Sequence, residues 1–269
     1  MTNQSSSIEI TPVSGALGAC VTGVSLSAFT GDEFELIKAA FLKHCVLIFP
    51  DQYLSIEAHK AFALHFGEPS ISPFVRYMKD HPFVLPLSNL GKHRSVTENW
   101  HFDSSFLEAP PSITILSARQ IPVGGDTMWS NQYKAYESLS SGMKEMLDGV
   151  RAEFSGARLA EFGGSEELAP SMLHPICRTH PETGQRALFI GRPGDTLPRL
   201  ENMSEAESRP IIRYLYEHSI DPANLYRHHW QTGEVVMWDN RCTMHYAVHD
   251  YGDEPRDLHR ISIQGTVPY

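Results

Sequence analysis

His101 and Asp103 stand two residues apart in Trp100-His101-Phe102-Asp103. Side chains alternate between the two faces of a strand, so both would enter one cavity. An imidazole and a carboxylate in that relation, joined by one distant histidine, form the facial triad of non-haem iron(II). The triad leaves adjacent coordination positions open for a chelating co-substrate and O2. The third donor is offered by Trp238-Asp239-Asn240-Arg241-Cys242-Thr243-Met244-His245, which follows the apolar strand Val235–Trp238. His249 and His259 are rivals for that place on composition alone. The chain has 14 histidines, so most must be structural or solvated. A His-X-Asp tripeptide is common, and the case for His101 and Asp103 rests on the company they keep.

That company includes two arginines. If 2-oxoglutarate supplies the two electrons an iron dioxygenase needs, its distal carboxylate requires a fixed cation. The planar fork of arginine meets a carboxylate through two hydrogen bonds. Arg256 and Arg260 lie 11 and 15 residues after His245. In an extended stretch they would share a face. Gly124-Gly125-Asp126-Thr127 reads as a turn feeding a strand, and Thr127 could add a hydroxyl donor to the same carboxylate. Trp100, Phe106 and Trp238 are close enough in sequence to line the cavity, although core packing would explain them equally. Three rivals remain on these residues alone. One is an iron oxygenase that does not use 2-oxoglutarate. Another is a zinc hydrolase, which could use two histidines and a carboxylate but has no need of the arginine pair. The third is a catalytically silent binding protein that keeps the fold.

The elements that must position these groups are legible in outline. Thr30-Gly31-Asp32-Glu33 is a capping box, opening a helix to about His44 with Phe34, Ile37, Phe41 and Leu42 on one face. Cys45 to Phe49 reads as a buried strand, and a second helix runs from about Ser55 to Gly67. Residues 8–26 read as short strands broken by glycines. Strands are expected at Phe83–Leu87, Ser112–Ala118, Asp126–Trp129, Ala187–Ile190, Glu234–Trp238 and Arg260–Gly265. Short helices fit Gln132–Ser138 and Gly142–Asp148. A longer one fits Ser208–His218, where Pro210 blurs the start. Many strands, few helices and frequent Gly and Pro punctuation predict a mainly β jelly roll with helices packed outside it.

Composition narrows the partners. The 269 residues suit one barrel or sandwich domain, and no repeat or long linker divides them. The formal net charge of −10 argues against unaided binding to nucleic acid or an anionic membrane. A small anionic substrate remains compatible, because a few inward-facing arginines suffice for it. No apolar stretch approaches a membrane span, and Met1 to Ser7 lack a basic region followed by an apolar run. The four cysteines, Cys20, Cys45, Cys177 and Cys242, have no CxxC spacing. The expectation is a reduced, cytoplasmic protein.

At this point the residues resemble a known family, the taurine dioxygenase and 2,4-dichlorophenoxyacetate dioxygenase (TauD/TfdA) family. The likeness runs nearly end to end. It passes through Gly15-Ala16-Leu17-Gly18-Ala19, Val46-Leu47-Ile48-Phe49-Pro50-Asp51-Gln52, Phe66-Gly67-Glu68 and Trp100–Phe106. It continues through Gly124-Gly125-Asp126-Thr127, His174-Pro175, Arg178–Gly184 and Trp238–His245. The resemblance implies a double-stranded β-helix (cupin-like) core. It implies iron held by His101, Asp103 and His245, and 2-oxoglutarate held by Thr127 and Arg256. Arg260 would meet the anionic group of the substrate. Oxidation of 2-oxoglutarate to succinate and carbon dioxide would accompany hydroxylation of a substrate C–H, and a homo-oligomer is favoured. Asp103 keeps the carboxylate that a halogenase would lack. Ser72 and Thr97 occupy positions where the taurine enzymes carry a histidine and an asparagine, so taurine itself is not the expected substrate. Ser72, Thr97 and Ser104 join Arg260 as candidate substrate contacts. The expected substrate is a small anion of the aryloxyalkanoate, sulfonate or sulfate-ester type.

Overall fold

The computed structural model describes residues 8–88, 98–164, 170–190 and 199–269, and the chain is mainly β with flanking helices. Seven strands form the larger sheet, in the order Glu9–Pro12, Ala19–Thr22, Val46–Phe49, Val235–Asp239, Ile113–Gln120, Asp257–Ile263 and Leu85–Ser88. All its pairings are antiparallel except that of Ala19–Thr22 with Val46–Phe49. A smaller sheet sets Thr127–Asn131 between Leu225–His228 and Thr243–Ala247.

Period-two alternation explains how the two sheets are used. From Val235–Asp239, Val235 and Met237 face outward. There they meet Ile37 and Phe41 of the helix Gly31–His44, and Phe62 of the helix Ile56–Leu64. Val236 and Trp238 face inward and pack with Leu116, Ala118 and Leu258 against Trp129 of the smaller sheet. The space between the sheets is thus filled by side chains at one end. A third cluster, built on Phe102, Phe154, Phe189 and Leu215, closes the far side of the smaller sheet.

The capping box is present: the Thr30 hydroxyl accepts from the Glu33 N–H, and the Glu33 carboxylate accepts from the Thr30 N–H. The last helix differs from expectation. Ser204 and Glu207 form a second capping box, so it runs Glu205–Ser219 with Pro210 inside it. Sequence reading also lacks the strands Arg151–Ser155, Ser171–Pro175, Cys177–Thr179, Leu225–His228 and Thr243–Ala247. The cysteines are free thiols. Among the described residues no helix is long and apolar enough to cross a membrane.

Candidate metal centre

His101 does not sit within a strand, as its spacing to Asp103 suggests. It forms a single antiparallel bridge with His245, each N–H donating to the other's carbonyl at 3.0 and 2.9 Å. This bridge extends the smaller sheet by one residue beyond Thr243–Ala247. It sets the two imidazoles with ring centroids 4.1 Å apart. The chain leaves the bridge at once, and Ser104 adopts a left-handed conformation (φ 42°) that turns it away after Asp103. Asp103 opens that turn two residues beyond His101, and its carboxylate converges with the His101 imidazole.

His245 is delivered by the turn between Val235–Asp239 and Thr243–Ala247. Asp239 organises that turn. Its carboxylate accepts from the Arg241 backbone N–H at 2.9 Å and from the Arg241 guanidinium at 2.8 and 2.7 Å. Its carbonyl accepts from the Thr243 hydroxyl at 2.7 Å. His180 lies 3.0 Å from the same carboxylate, and Glu182 continues the ion pair from Arg241 at 2.6 Å. Burial pushes the Asp239 carboxyl up, but Arg241 and His180 outweigh it and hold it well below the usual range.

One ligand atom from each of His101, Asp103 and His245 lies within 4.8 Å of the others. The His101 Nδ1 faces the Asn99 carbonyl at 2.7 Å and must carry a proton to bond it, which leaves the Nε2 lone pair for a metal. His245 turns its Nε2 towards Asp103 Oδ1, 3.7 Å away, and is packed against the Trp238 ring at 4.8 Å. Burial lowers the pKa of both imidazoles, His245 the more strongly. For Asp103, burial acts upward, but Arg260, the two histidines and the Thr114 hydrogen bond hold it down to about 2. Two neutral imidazoles and one ionised carboxylate are the donor set that a divalent transition metal takes.

Arg260 belongs to the same group. Its Nη2 lies 3.2 Å from Asp103 Oδ1, and its Nε donates to Ser262 Oγ at 3.1 Å. Arg256 is placed elsewhere. It precedes the strand Asp257–Ile263, and a register shift at Asp257/Leu258 separates it from Arg260. Its Nη2 donates to the Gly125 carbonyl at 2.9 Å, two residues before Thr127, and its guanidinium lies 5.5 Å from the Tyr251 ring. Gly125 has φ 73°, and a Cβ there would stand 2.8 Å from Arg256 Nε, so both conformation and space require glycine. Thr127 Oγ1 accepts from Trp230 Nε1 at 2.9 Å.

The remaining candidates fare differently. Ser104 adjoins Asp103 in sequence, while the Ser72 N–H donates to the Tyr77 hydroxyl at 2.8 Å. Among the described residues neither side chain hydrogen-bonds to the three donors. Thr97 lies outside the described residues. His259 lies near Asp257, and the His249 ring is tilted against Tyr251; neither joins the cluster. Trp100 packs on Tyr246, and Phe106 on Phe74. Sequence reasoning missed Thr114, Asn240 and Ser262, the polar residues around Asp103. The signal for them is slight: Thr114 and Ser262 are polar residues at inward strand positions, and Asn240 lies in the turn that follows Val235–Asp239.

Residues 9–262 match the family model described as "Taurine catabolism dioxygenase TauD, TfdA family". An alpha-ketoglutarate-dependent sulfate ester dioxygenase of Pseudomonas putida is 34% identical, over 97% of this chain and 91% of its own length. A (S)-phenoxypropionate/alpha-ketoglutarate-dioxygenase of Sphingobium herbicidovorans is 31% identical, over 90% of each chain. The crystal structure of AAD-2 in complex with Mn(II) and N-oxalylglycine superposes with a TM-score of 0.83 at 30% identity, covering 97% of this chain and 99% of that one. This chain belongs to the TauD, TfdA dioxygenase family.

Proposed function

We propose that the protein is an iron(II)- and 2-oxoglutarate-dependent dioxygenase that hydroxylates a C–H bond of a small organic anion. In this reading His101, Asp103 and His245 hold the iron, and the two facing sheets are a double-stranded β-helix with the metal at its open end. The observation that carries it is the set of three donors within 4.8 Å, two neutral and one ionised, with Arg260 beside them. Bound iron and 2-oxoglutarate would supply the oxidising power, turning O2 and 2-oxoglutarate into succinate, carbon dioxide and one oxygen atom for the substrate.

The chain's own residues do the rest. Arg256, buried and fixed against Gly125 and Tyr251, presents a fork to the distal carboxylate of 2-oxoglutarate. Thr127 assists. Because Trp230 Nε1 can only donate, it takes a lone pair of the Thr127 hydroxyl and leaves that hydroxyl's proton for the same carboxylate. Trp238 holds the His245 ring from the side. Arg260 offers its charge to the substrate's anionic group beside the metal, and Ser104 and Ser72 are further substrate contacts in this reading. The relatives that act on sulfate esters and phenoxypropionate support the substrate class. Succinate release tests it, with alkyl sulfates, alkyl sulfonates and aryloxyalkanoates each supplied with iron(II), 2-oxoglutarate and O2. Stimulation by one class and by no uncharged analogue is the expected result. Equal stimulation by uncharged analogues would contradict the role of Arg260.

A further inference from the structure

The two oxygens of Asp103 are treated differently. Oδ1 faces His245 Nε2 and Arg260 Nη2. Oδ2 accepts a 2.7 Å hydrogen bond from the Thr114 hydroxyl, where both residues are buried. Thr114 is the midpoint of a row fixed by strand register: its partner on one side is Trp238 and on the other Ser262. The hydrogen bonds along this row have only one consistent direction. Trp238 Nε1 is a donor with no acceptor capacity, so at 2.9 Å it must meet Asn240 Oδ1. That fixes the amide of Asn240, whose Nδ2 then donates to Thr114 Oγ1 at 2.8 Å. Ser262 Oγ accepts from Arg260 Nε at 3.1 Å, which leaves its own proton for Thr114, 3.3 Å away. With both acceptor sites used, Thr114 has one proton left, and it can go only to Asp103 Oδ2.

We propose that Thr114, oriented by Asn240 and Trp238, is a positioning residue that withholds Oδ2 of Asp103 and presents Oδ1 alone to the metal, while Ser262 ties Arg260 to the same hydroxyl. The metal carboxylate and the arginine beside it therefore share one anchor. This rests on the reading of His101, Asp103 and His245 as metal ligands. It adds the residues that fix which oxygen of that carboxylate is turned towards the other two donors.

The test is metal binding by the purified, iron-free protein, without turnover. Mn(II) affinity is measured by calorimetry, and the coordination geometry by the visible absorption of bound Co(II). Thr114→Val keeps the volume and removes the hydroxyl, and Thr114→Ala is a second variant that removes it. Mn(II) affinity should fall about 10- to 100-fold in either, as is typical for the loss of an outer partner of a metal ligand. The Co(II) spectrum should change shape, and Thr114→Ser should restore both readouts. An apo thermal melt establishes that each variant is folded. A folded Thr114→Val or Thr114→Ala protein with Mn(II) affinity within about twofold of wild type and an unaltered Co(II) spectrum would overturn the proposal. Wild-type protein that fails to bind, or binds equally well as His101→Ala, would instead remove the metal reading itself and this inference with it.

Discussion

Arg256 and Arg260 are four residues apart, yet the structure gives them different neighbours. Arg256 is held by the Gly125 carbonyl and Tyr251, whereas Arg260 is held by Asp103 and Ser262. Arg256→Ala should therefore raise the 2-oxoglutarate concentration needed for turnover. A hydrogen bond to a charged group contributes about 1.5–3 kcal/mol, which corresponds to roughly a 10- to 100-fold change. Arg260→Ala should leave that requirement nearly unchanged and raise the KM for the organic substrate. Steady-state kinetics in each co-substrate separates the two, and a 2-oxoglutarate KM that moves in Arg260→Ala but not in Arg256→Ala would reverse the assignment. A second residue-level prediction concerns His59, which burial, aided by nearby His259, pushes down to about 3. Unfolded chains protonate histidine near pH 6.5. Below that pH the unfolded state binds the extra proton and the folded state does not, so stability is full above about pH 6.5 and falls as pH drops towards 3. The slope from this one group is at most about 1.4 kcal/mol per pH unit. In His59→Leu, urea denaturation at a series of pH values below 6 should give a shallower acid limb; an unchanged limb would contradict it. Such a role could not be read from the sequence, where His59 is one helix histidine among 14 in the chain.

Among the elements, those with strong local signals were legible and those assembled from long-range pairing were not. Thr30 and Glu33 write the helix Gly31–His44 into four consecutive residues. Val235–Asp239 is visible because both its faces are buried and apolar. The strand that carries His245, Thr243–Ala247, has no such signature: its sequence mixes polar and aromatic residues because its side chains serve the site and the turn before it. The same holds for Leu225–His228, which pairs with Thr127–Asn131 across about a hundred residues of sequence. What secures Thr243–Ala247 is the buried Asp239–Arg241–His180 cluster at its start, which the exposed Glu182 joins from the surface. Removing one partner of a buried ion pair typically costs about 3–5 kcal/mol. Asp239→Asn should lose that much in urea denaturation and should weaken metal binding as His245 loses its support. A loss under about 1 kcal/mol would mean that the backbone hydrogen bonds hold the turn unaided.

At the level of the whole molecule, the net charge of −10 coexists with a site where an arginine lies against the His101–Asp103–His245 cluster. Composition therefore described the surface, and the residues at the sheet mouth described the ligand. The triad was legible because its residue types are chemically restricted. The hydroxyl and amide residues behind it were not, since Thr, Ser and Asn occur in any strand or turn. The architecture also links stability to occupancy. A ligand that binds only the folded state stabilises it, by about 2.7 kcal/mol at a hundred times its dissociation constant. In the proposed function, His101, Asp103 and His245 hold an iron to which 2-oxoglutarate chelates. The most direct test is an anaerobic titration of the iron(II)-loaded protein with 2-oxoglutarate, followed by visible absorption. A weak metal-to-ligand charge-transfer band that saturates with 2-oxoglutarate and is lost in His101→Ala is the predicted result. A folded, iron-loaded protein that develops no band, or one whose band survives in His101→Ala, would contradict it.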